Sequence, residues 1–322
     1  MKKSTIRLAA CVLTVLLSIQ SVSAAQLLIP VGEVIGLQLQ TDIVTIQGFD
    51  QELGQLSQAA GLEAGDQILE IDDAPVTCAE DIRQALIRSD GDVDIHIRRG
   101  NTTRELEIQP QITPDGPKLG IYLKEGVTGI GTVTYYDPQT GDFGALGHGV
   151  NDPDGDLLPM TQGFAYRAKV DNVCKGKSGD PGQLMGSVTE LSPIAPLSKN
   201  APQGVFGKST NGFHGDALPA AAISEIHTGP AVIRSTIAGE DIQEYSVEIL
   251  KVYPASSDTG RNMLLKITDP RLLETTGGIV QGMSGSPIIQ DGKLIGAVTH
   301  VLVNDPTTGY GIFIENMLDA AA

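Results

Sequence analysis

The sequence predicts a mainly β protein of two domains, and three observations carry that expectation. Gly and Pro are abundant, at 38 and 18 of 322 residues. The apolar runs are short and broken by Gly, Pro, Asn and Asp, the pattern of strands joined by turns. Aromatic residues make up only 4% and Trp is absent, so the core must be built from Val, Ile, Leu and Ala. The length is more than one small core needs. Lys and Arg number 22 against 39 Asp and Glu, a net charge of −17. That balance excludes an enzyme that grips nucleic acid or an anionic lipid surface through positive charge.

In chain order, the first element is a leader. Lys2, Lys3 and Arg7 precede an apolar run from Leu8 to Ile19, and Val22 and Ala24 occupy the −3 and −1 positions of a small-residue cleavage site. The run is shorter than the ~20 residues a membrane-spanning helix needs. Residues 1–24 therefore read as a signal peptide for export, cut after Ala24, with retention as an anchor the alternative. Cleavage would remove three cations and no acid, taking the net charge from −17 to −20. Cys11 lies in a lipoprotein-like setting, but the apolar run continues past it. The mature chain keeps Cys78 and Cys174, too few for a disulfide scaffold. They read as half-buried thiols, a bridge between them being the alternative.

A first compact unit is expected from about Val31 to Pro110. Its helix runs from Cys78 to Arg88, with Thr77 and Glu80 as a capping box and Ile82, Ala85 and Leu86 on one apolar face. Val93, Ile95 and Ile97 alternate with polar residues, Gly100 and Asn101 turn, and Leu106 and Ile108 alternate again, which predicts a hairpin. Ahead of the helix, AGLEAGDQILEIDDAPV (Ala60 to Val76) sets a Gly-Asp turn before a short strand.

That segment, with Ile35, Gly36 and Leu37 upstream, resembles a PDZ domain of the kind found in bacterial proteases. Such domains add an extended peptide as a strand beside a helix. The resemblance implies a PDZ domain over 31–110, with Gly36, Leu37 and Leu39 lining the groove and Ile82 and Leu86 facing them. The alternative for each apolar residue is ordinary core.

From Pro117 to the end, 117–322, short apolar runs again dominate: Ile130 to Tyr135, Val247 to Val252, Met263 to Thr268, Ile279 to Val280 and Leu294 to Val301. This spacing predicts a sandwich or a pair of barrels. The sharpest chemical signal is QGMSGSP, Gln281 to Pro287, followed by an Asp291-Gly292 turn. A serine between glycines can present its hydroxyl on a tight turn while nearby N–H groups point at a developing oxyanion. Ser284 is the candidate nucleophile, with the amides of Gly282 and Ser284 as the oxyanion hole. Among five histidines, His148 in FGALGHGV ends a short strand between glycines and is the candidate general base. His300, at the end of the strand after the serine turn, is its rival.

Together, GALGHGV, KGKSGDPGQLMGSV (Lys175 to Val188), GVFGK (Gly204 to Lys208), ITDPRLL (Ile267 to Leu273) and QGMSGSP resemble the stage IV sporulation protein B peptidases. The resemblance implies a PDZ domain (α+β) followed by a chymotrypsin-like double β-barrel serine protease domain. It also implies Asp269 as the catalytic acid, only 15 residues before Ser284. A turn residue before Pro270 is the other reading of Asp269, and Asp216 and Asp180 are substitutes for the acid. Met283 stands where digestive enzymes keep an aspartate that a fresh N-terminus neutralises, so that activation switch is missing.

By the same resemblance the protein would be exported into the forespore intermembrane space. There it would cleave the extracytoplasmic part of a membrane regulatory complex, triggering late sigma-factor activation, and would process itself. Its partners would be that protein substrate and a peptide ligand of the PDZ domain. The serine mechanism needs no cofactor. NDPDGDLLP (Asn151 to Pro159) begins like a calcium loop, but the closing Glu position is Gly163, which favours a solvated turn. Two other functional classes share these parts: a general quality-control protease, disfavoured because the PDZ unit comes first, and a non-catalytic PDZ scaffold.

Overall fold

The computed structural model describes residues 25–152, 155–253 and 260–322. The expected leader and its cleavage site lie outside the described residues, as do Pro153 and Asp154 of the NDPDGDLLP run. The chain begins in a barrel, leaves it to build the PDZ domain, and then returns. Strand β1 (Leu27–Pro30) is followed by the long strand β2 (Val34–Phe49). Only the first half of β2, Val34 to Gln40, belongs to the barrel. Its second half enters the PDZ domain.

The PDZ domain continues through α1 (Gln55–Ala59), β3 (Gln67–Ile71), β4 (Ala74–Pro75), α2 (Ala79–Arg88), β5 (Val93–Arg99) and β6 (Thr102–Ile108). A small hairpin, β7 (Gln111–Thr113) and β8 (Gly116–Lys118), precedes β9 (Ile121–Tyr136). The β5–β6 hairpin has the expected two-residue turn at Gly100 and Asn101. Alternation places Val93, Ile95 and Ile97 in the core with Ile68, Ile71, Ile82 and Leu86, each fully buried aliphatic side chain contributing roughly 1.5–3 kcal/mol. Asp66, from the Gly-Asp turn, is held by Arg99 through two hydrogen bonds of 2.6 and 2.7 Å. The helix cap lies one residue later than Thr77 and Glu80 suggest. Cys78 is the N-cap, and the Asp81 carboxylate accepts from Thr77 Oγ1 and from the Thr77 and Cys78 amides. Glu80 instead binds Arg83 and Gln84.

β9 carries the chain back. Its first residues pair with the PDZ half of β2 (Phe49 opposite Ile121, Thr45 opposite Lys124), and its later residues with the barrel half (Gln40 opposite Gly126, Val34 opposite Thr132). The break in register falls between these two stretches. The PDZ domain is thus an insertion between the first two strands of barrel 1. This corrects the expected order of one domain over 31–110 followed by another over 117–322. The physical reason is that β2 and β9 each run unbroken through both domains, so no composition shift marks the crossing.

Barrel 1 closes through β10 (Asp142–Ala145), β11 (Gln162–Cys174), β12 (Gln183–Ala201) and β13 (Gly204–Lys208). The antiparallel ring runs β2, β9, β10, β13, β12, β11 and back to β2. After β14 (Leu218–Pro219), barrel 2 is formed by β15 (Gly229–Thr236), β16 (Ile242–Val252), β17 (Met263–Ile267), β18 (Pro287–Gln290), β19 (Lys293–Leu302) and β20 (Asp305–Phe313). It closes in the order β15-β16-β17-β20-β19-β18. Ile279 and Val280 are buried but lie outside any strand, unlike the expectation. Helix α3 (Pro270–Thr276) interrupts barrel 2, and α4 (Ile314–Ala321) buries Ile314 and Met317 against Tyr135 and Phe206 of barrel 1 and Leu294 and Ile312 of barrel 2. This fixes the two barrels side by side in a chymotrypsin-like double β-barrel.

Candidate active site

The site lies where the two barrels meet. On the barrel 1 side, β10 ends at Ala145, and Leu146 (φ +68°) and Gly147 (φ +69°) turn the chain sharply. A Cβ on Gly147 would sit 2.9 Å from the Thr299 methyl, so glycine is what lets this loop lie against barrel 2. His148 follows. Its Nδ1 lies 2.8 Å from the Gly149 carbonyl oxygen, which can only accept, so Nδ1 carries the proton and Nε2 presents a lone pair. Burial pushes its pKa below the ordinary 6.5, leaving the imidazole neutral near pH 7. Asn200 pins the loop that follows: its Nδ2 donates to the Val150 and Leu158 carbonyls and its Oδ1 accepts from the Val150 amide. Nothing in the local sequence singles Asn200 out.

On the barrel 2 side, the Gln281–Ser286 loop is clamped from both flanks. Thr132 of β9 donates through Oγ1 to the Gly282 carbonyl (2.9 Å) and through its amide to the Ser284 carbonyl (3.1 Å). Thr134 Oγ1 donates to the Gly285 carbonyl at 2.8 Å. Gly285 has φ +97°, and a Cβ there would fall 2.0 Å from the Thr132 carbonyl oxygen. Met283 is fully buried in the barrel 2 core. With the carbonyls turned to barrel 1, the amides of Gly282 and Ser284 have no acceptor among the described residues, whereas the Met283 amide bonds to Val280.

Both candidate residues line one cavity of about 350 Å³ with Leu37, Leu39, Leu146 and Val150. The Ser284 hydroxyl donates to the Thr299 carbonyl at 2.8 Å and so is turned toward β19. Rotation about one side-chain bond is needed before it can hand its proton to an imidazole. His300 packs against His148 with ring centroids 5.3 Å apart and an interplanar angle of 39°. Burial and the neighbouring His148 push its pKa down to about 4. Its Nδ1 is buried with no hydrogen-bond partner among the described residues.

Asp269 stands elsewhere. It is the N-cap of α3, accepting from the Arg271 amide at 2.9 Å, the Arg271 guanidinium at 2.8 Å and the Ser246 amide at 3.3 Å. Arg271 holds its carboxyl down at about 2. Asp269, the acid implied by the resemblance of ITDPRLL, instead starts a helix, with Pro270 at N1. Among the described residues no carboxylate lines the cavity. Asp180 sits in the Lys175–Gly182 loop, which docks on α3 and on the β19–β20 hairpin.

Gly36, Leu37 and Leu39 are not in a peptide groove of the PDZ domain. They lie in the barrel half of β2, which pairs with β9 on one edge and β11 on the other. No edge is left for an added strand, and their apolar character serves barrel 1. Ile82 and Leu86 do lie on the buried face of α2. The strand beside α2 is the start of β9, Ile121 to Glu125, which pairs with β2 on one edge only. Glu125 accepts from the Ala79 amide at the helix start. The overlooked signal is Leu119-Gly120-Ile121.

The family model for SpoIVB peptidase S55 matches residues 116–318, more than half of the chain. This chain belongs to the SpoIVB peptidase S55 family. An S55 peptidase is a serine peptidase, and the double barrel described here is its frame. A Rhizobium meliloti (strain 1021) protein named as a candidate zinc metalloprotease is 31% identical over 88 residues, which is 27% of the S55 chain and 22% of that protein. The S55 chain therefore spans about a fifth of that relative's length. Among solved structures, the Rv3671c protease of M. tuberculosis in its active form is similar with a TM-score of 0.37 and 14% identity, over 60% of this chain and 72% of that one. The PDZ domain of the SdrC-like protein Lmo2051 from Listeria monocytogenes is similar with a TM-score of 0.22 and 24% identity, over 26% of this chain and 87% of that one.

Proposed function

We propose that this serine peptidase is an endopeptidase in which Ser284 is the nucleophile, His148 the general base, and the Gly282 and Ser284 amides the oxyanion hole. The observation that carries the reading is that Ser284 and His148, distant in the chain, line one cavity between the barrels. The Ser284 Oγ–H proton passes to His148 Nε2 as Oγ bonds to the scissile carbonyl carbon. The carbonyl oxygen takes up the negative charge and faces the two unengaged amides. His148 then protonates the leaving nitrogen as the C–N bond breaks, and water, deprotonated by His148, releases the acyl group. The Gly149 carbonyl, 2.8 Å from Nδ1, holds the tautomer that keeps Nε2 basic.

We further propose that the substrate is the extracytoplasmic part of a membrane regulatory complex of sporulation, met in the forespore intermembrane space after export, and that the enzyme processes itself. Family membership supports this reading. The PDZ domain would take a peptide ligand between α2 and the start of β9. Purified protein incubated with the candidate regulatory subunit should cleave it, and Ser284→Ala should not. No cleavage by the unaltered protein, together with no fluorophosphonate labelling, would remove the enzymatic reading of these residues.

A further inference from the structure

We propose that the enzyme selects an uncharged, apolar stretch of substrate immediately after the bond it cuts, held in a groove that opens from the catalytic cavity along barrel 1. This rests on the roles of Ser284 and His148 given above. The base that protonates the leaving nitrogen must face the leaving half of the substrate, so the His148 side of Ser284 is the leaving side. The cavity there is walled by barrel 1, through Leu37, Leu39, Leu146 and Val150, and has room for one large aliphatic side chain. It shares Leu37, Gly129 and Ile130 with a larger depression of about 810 Å³ that continues over β2, β9 and β12.

Two features give the occupant its chemistry. Among the described residues, neither space is lined by Asp, Glu, Lys or Arg, in a chain holding 61 of them. An ionised side chain entering it would lose water and, among the described residues, gain no opposite charge. At the outer end, Met185 and Val188 are each 45% exposed and Leu191 is 95% exposed, an apolar rim left open to solvent. Space is already present: a Cβ on Gly129 would meet nothing within 4 Å. The continuity of the rim with the cavity that holds Ser284 and His148 assigns it to the substrate's leaving segment.

The test uses internally quenched peptides that share the sequence up to the scissile bond and differ in the two residues after it, Leu-Val, Ser-Ser or Asp-Lys. The expected result is a kcat/KM for Leu-Val at least tenfold above that for Asp-Lys, with Ser-Ser between, as differential burial of one or two aliphatic side chains gives. Gly129→Leu, which fills the groove, should shrink that ratio, and circular dichroism checks that it folds. Equal kcat/KM for the three peptides, with Ser284 still labelled by a fluorophosphonate, overturns this inference and leaves the peptidase reading standing. Loss of labelling would instead remove the reading beneath it. A dimer in light scattering that Leu191→Asp dissociates would assign the rim to a second copy and also overturn the proposal.

Discussion

The hydroxyl of Ser284 donates to the carbonyl of Thr299 at 2.8 Å, across the mouth of barrel 2. A nucleophile held this way is at rest. Its proton is committed to a backbone oxygen, and attack begins only when Oγ turns toward the cavity it shares with His148. Replacing Ser284 by Ala should lower peptide hydrolysis by roughly 10⁴-fold or more while lowering the thermal midpoint only slightly, by the one hydrogen bond to Thr299, worth about 1 kcal/mol. Parallel measurement of turnover and melting checks both halves.

The acidic limb of the pH profile should lie below pH 6.5. Burial lowers the pKa of His148, and only its neutral form can accept the serine proton, so activity should persist into mildly acidic solution and fall once His148 protonates. The dependence of kcat/KM on pH reads this midpoint in the free enzyme. His300 adds a stability effect of the same sign. Its pKa is depressed in the fold to about 4, so the unfolded chain binds the extra proton first. Stability is full above about pH 6.5, the unfolded value, and declines as pH falls toward 4. Denaturant midpoints across that range should drop, and His300→Phe should flatten the drop.

Asp269 should act through the fold. Its carboxylate caps α3 and binds Arg271 and the Ser246 amide, so Asp269→Ala should cost about 1–2 kcal/mol of stability. The acidic limb of the residual activity should not move, because the charge removed does not touch His148. A triad acid would behave in the opposite way, shifting that limb while leaving the melting temperature in place.

Asn200 should matter more than its sequence context suggests. It satisfies the Val150 amide and the Val150 and Leu158 carbonyls, and a buried polar group left without a partner costs about 1–3 kcal/mol. Asn200→Ala should therefore destabilise barrel 1 and lower kcat by loosening the loop that carries His148. Asn200→Leu, similar in volume but unable to bond, should do the same, which separates hydrogen bonding from packing.

What was legible in the sequence was local. The β5–β6 hairpin, with Gly100 at positive φ, and the Asp291-Gly292 turn, with both residues there, follow from turn chemistry over two residues. The Ser284 loop and the His148 strand end follow from glycines whose absent Cβ atoms let two barrels touch. The insertion of the PDZ domain was not legible, because β2 alternates apolar and polar residues through both halves and Leu37 suits a groove or a barrel equally. Asp269 misled for a related reason. Asp before Pro can open a turn or cap a helix, and nothing within a few residues tells whether its carboxylate turns to a histidine or to Arg271. Asn200 gave no signal because its value lies in three backbone groups that only the folded barrel brings to it.

The measurement that bears most directly on the account is fluorophosphonate labelling followed by peptide mapping in the unaltered protein, His148→Ala and His300→Ala. One adduct at Ser284, formed at least a hundredfold more slowly without His148 but readily without His300, is the expected outcome. An adduct on another residue, or labelling of Ser284 that proceeds equally well when His148 is gone, would contradict the pairing of these two side chains across the barrel interface.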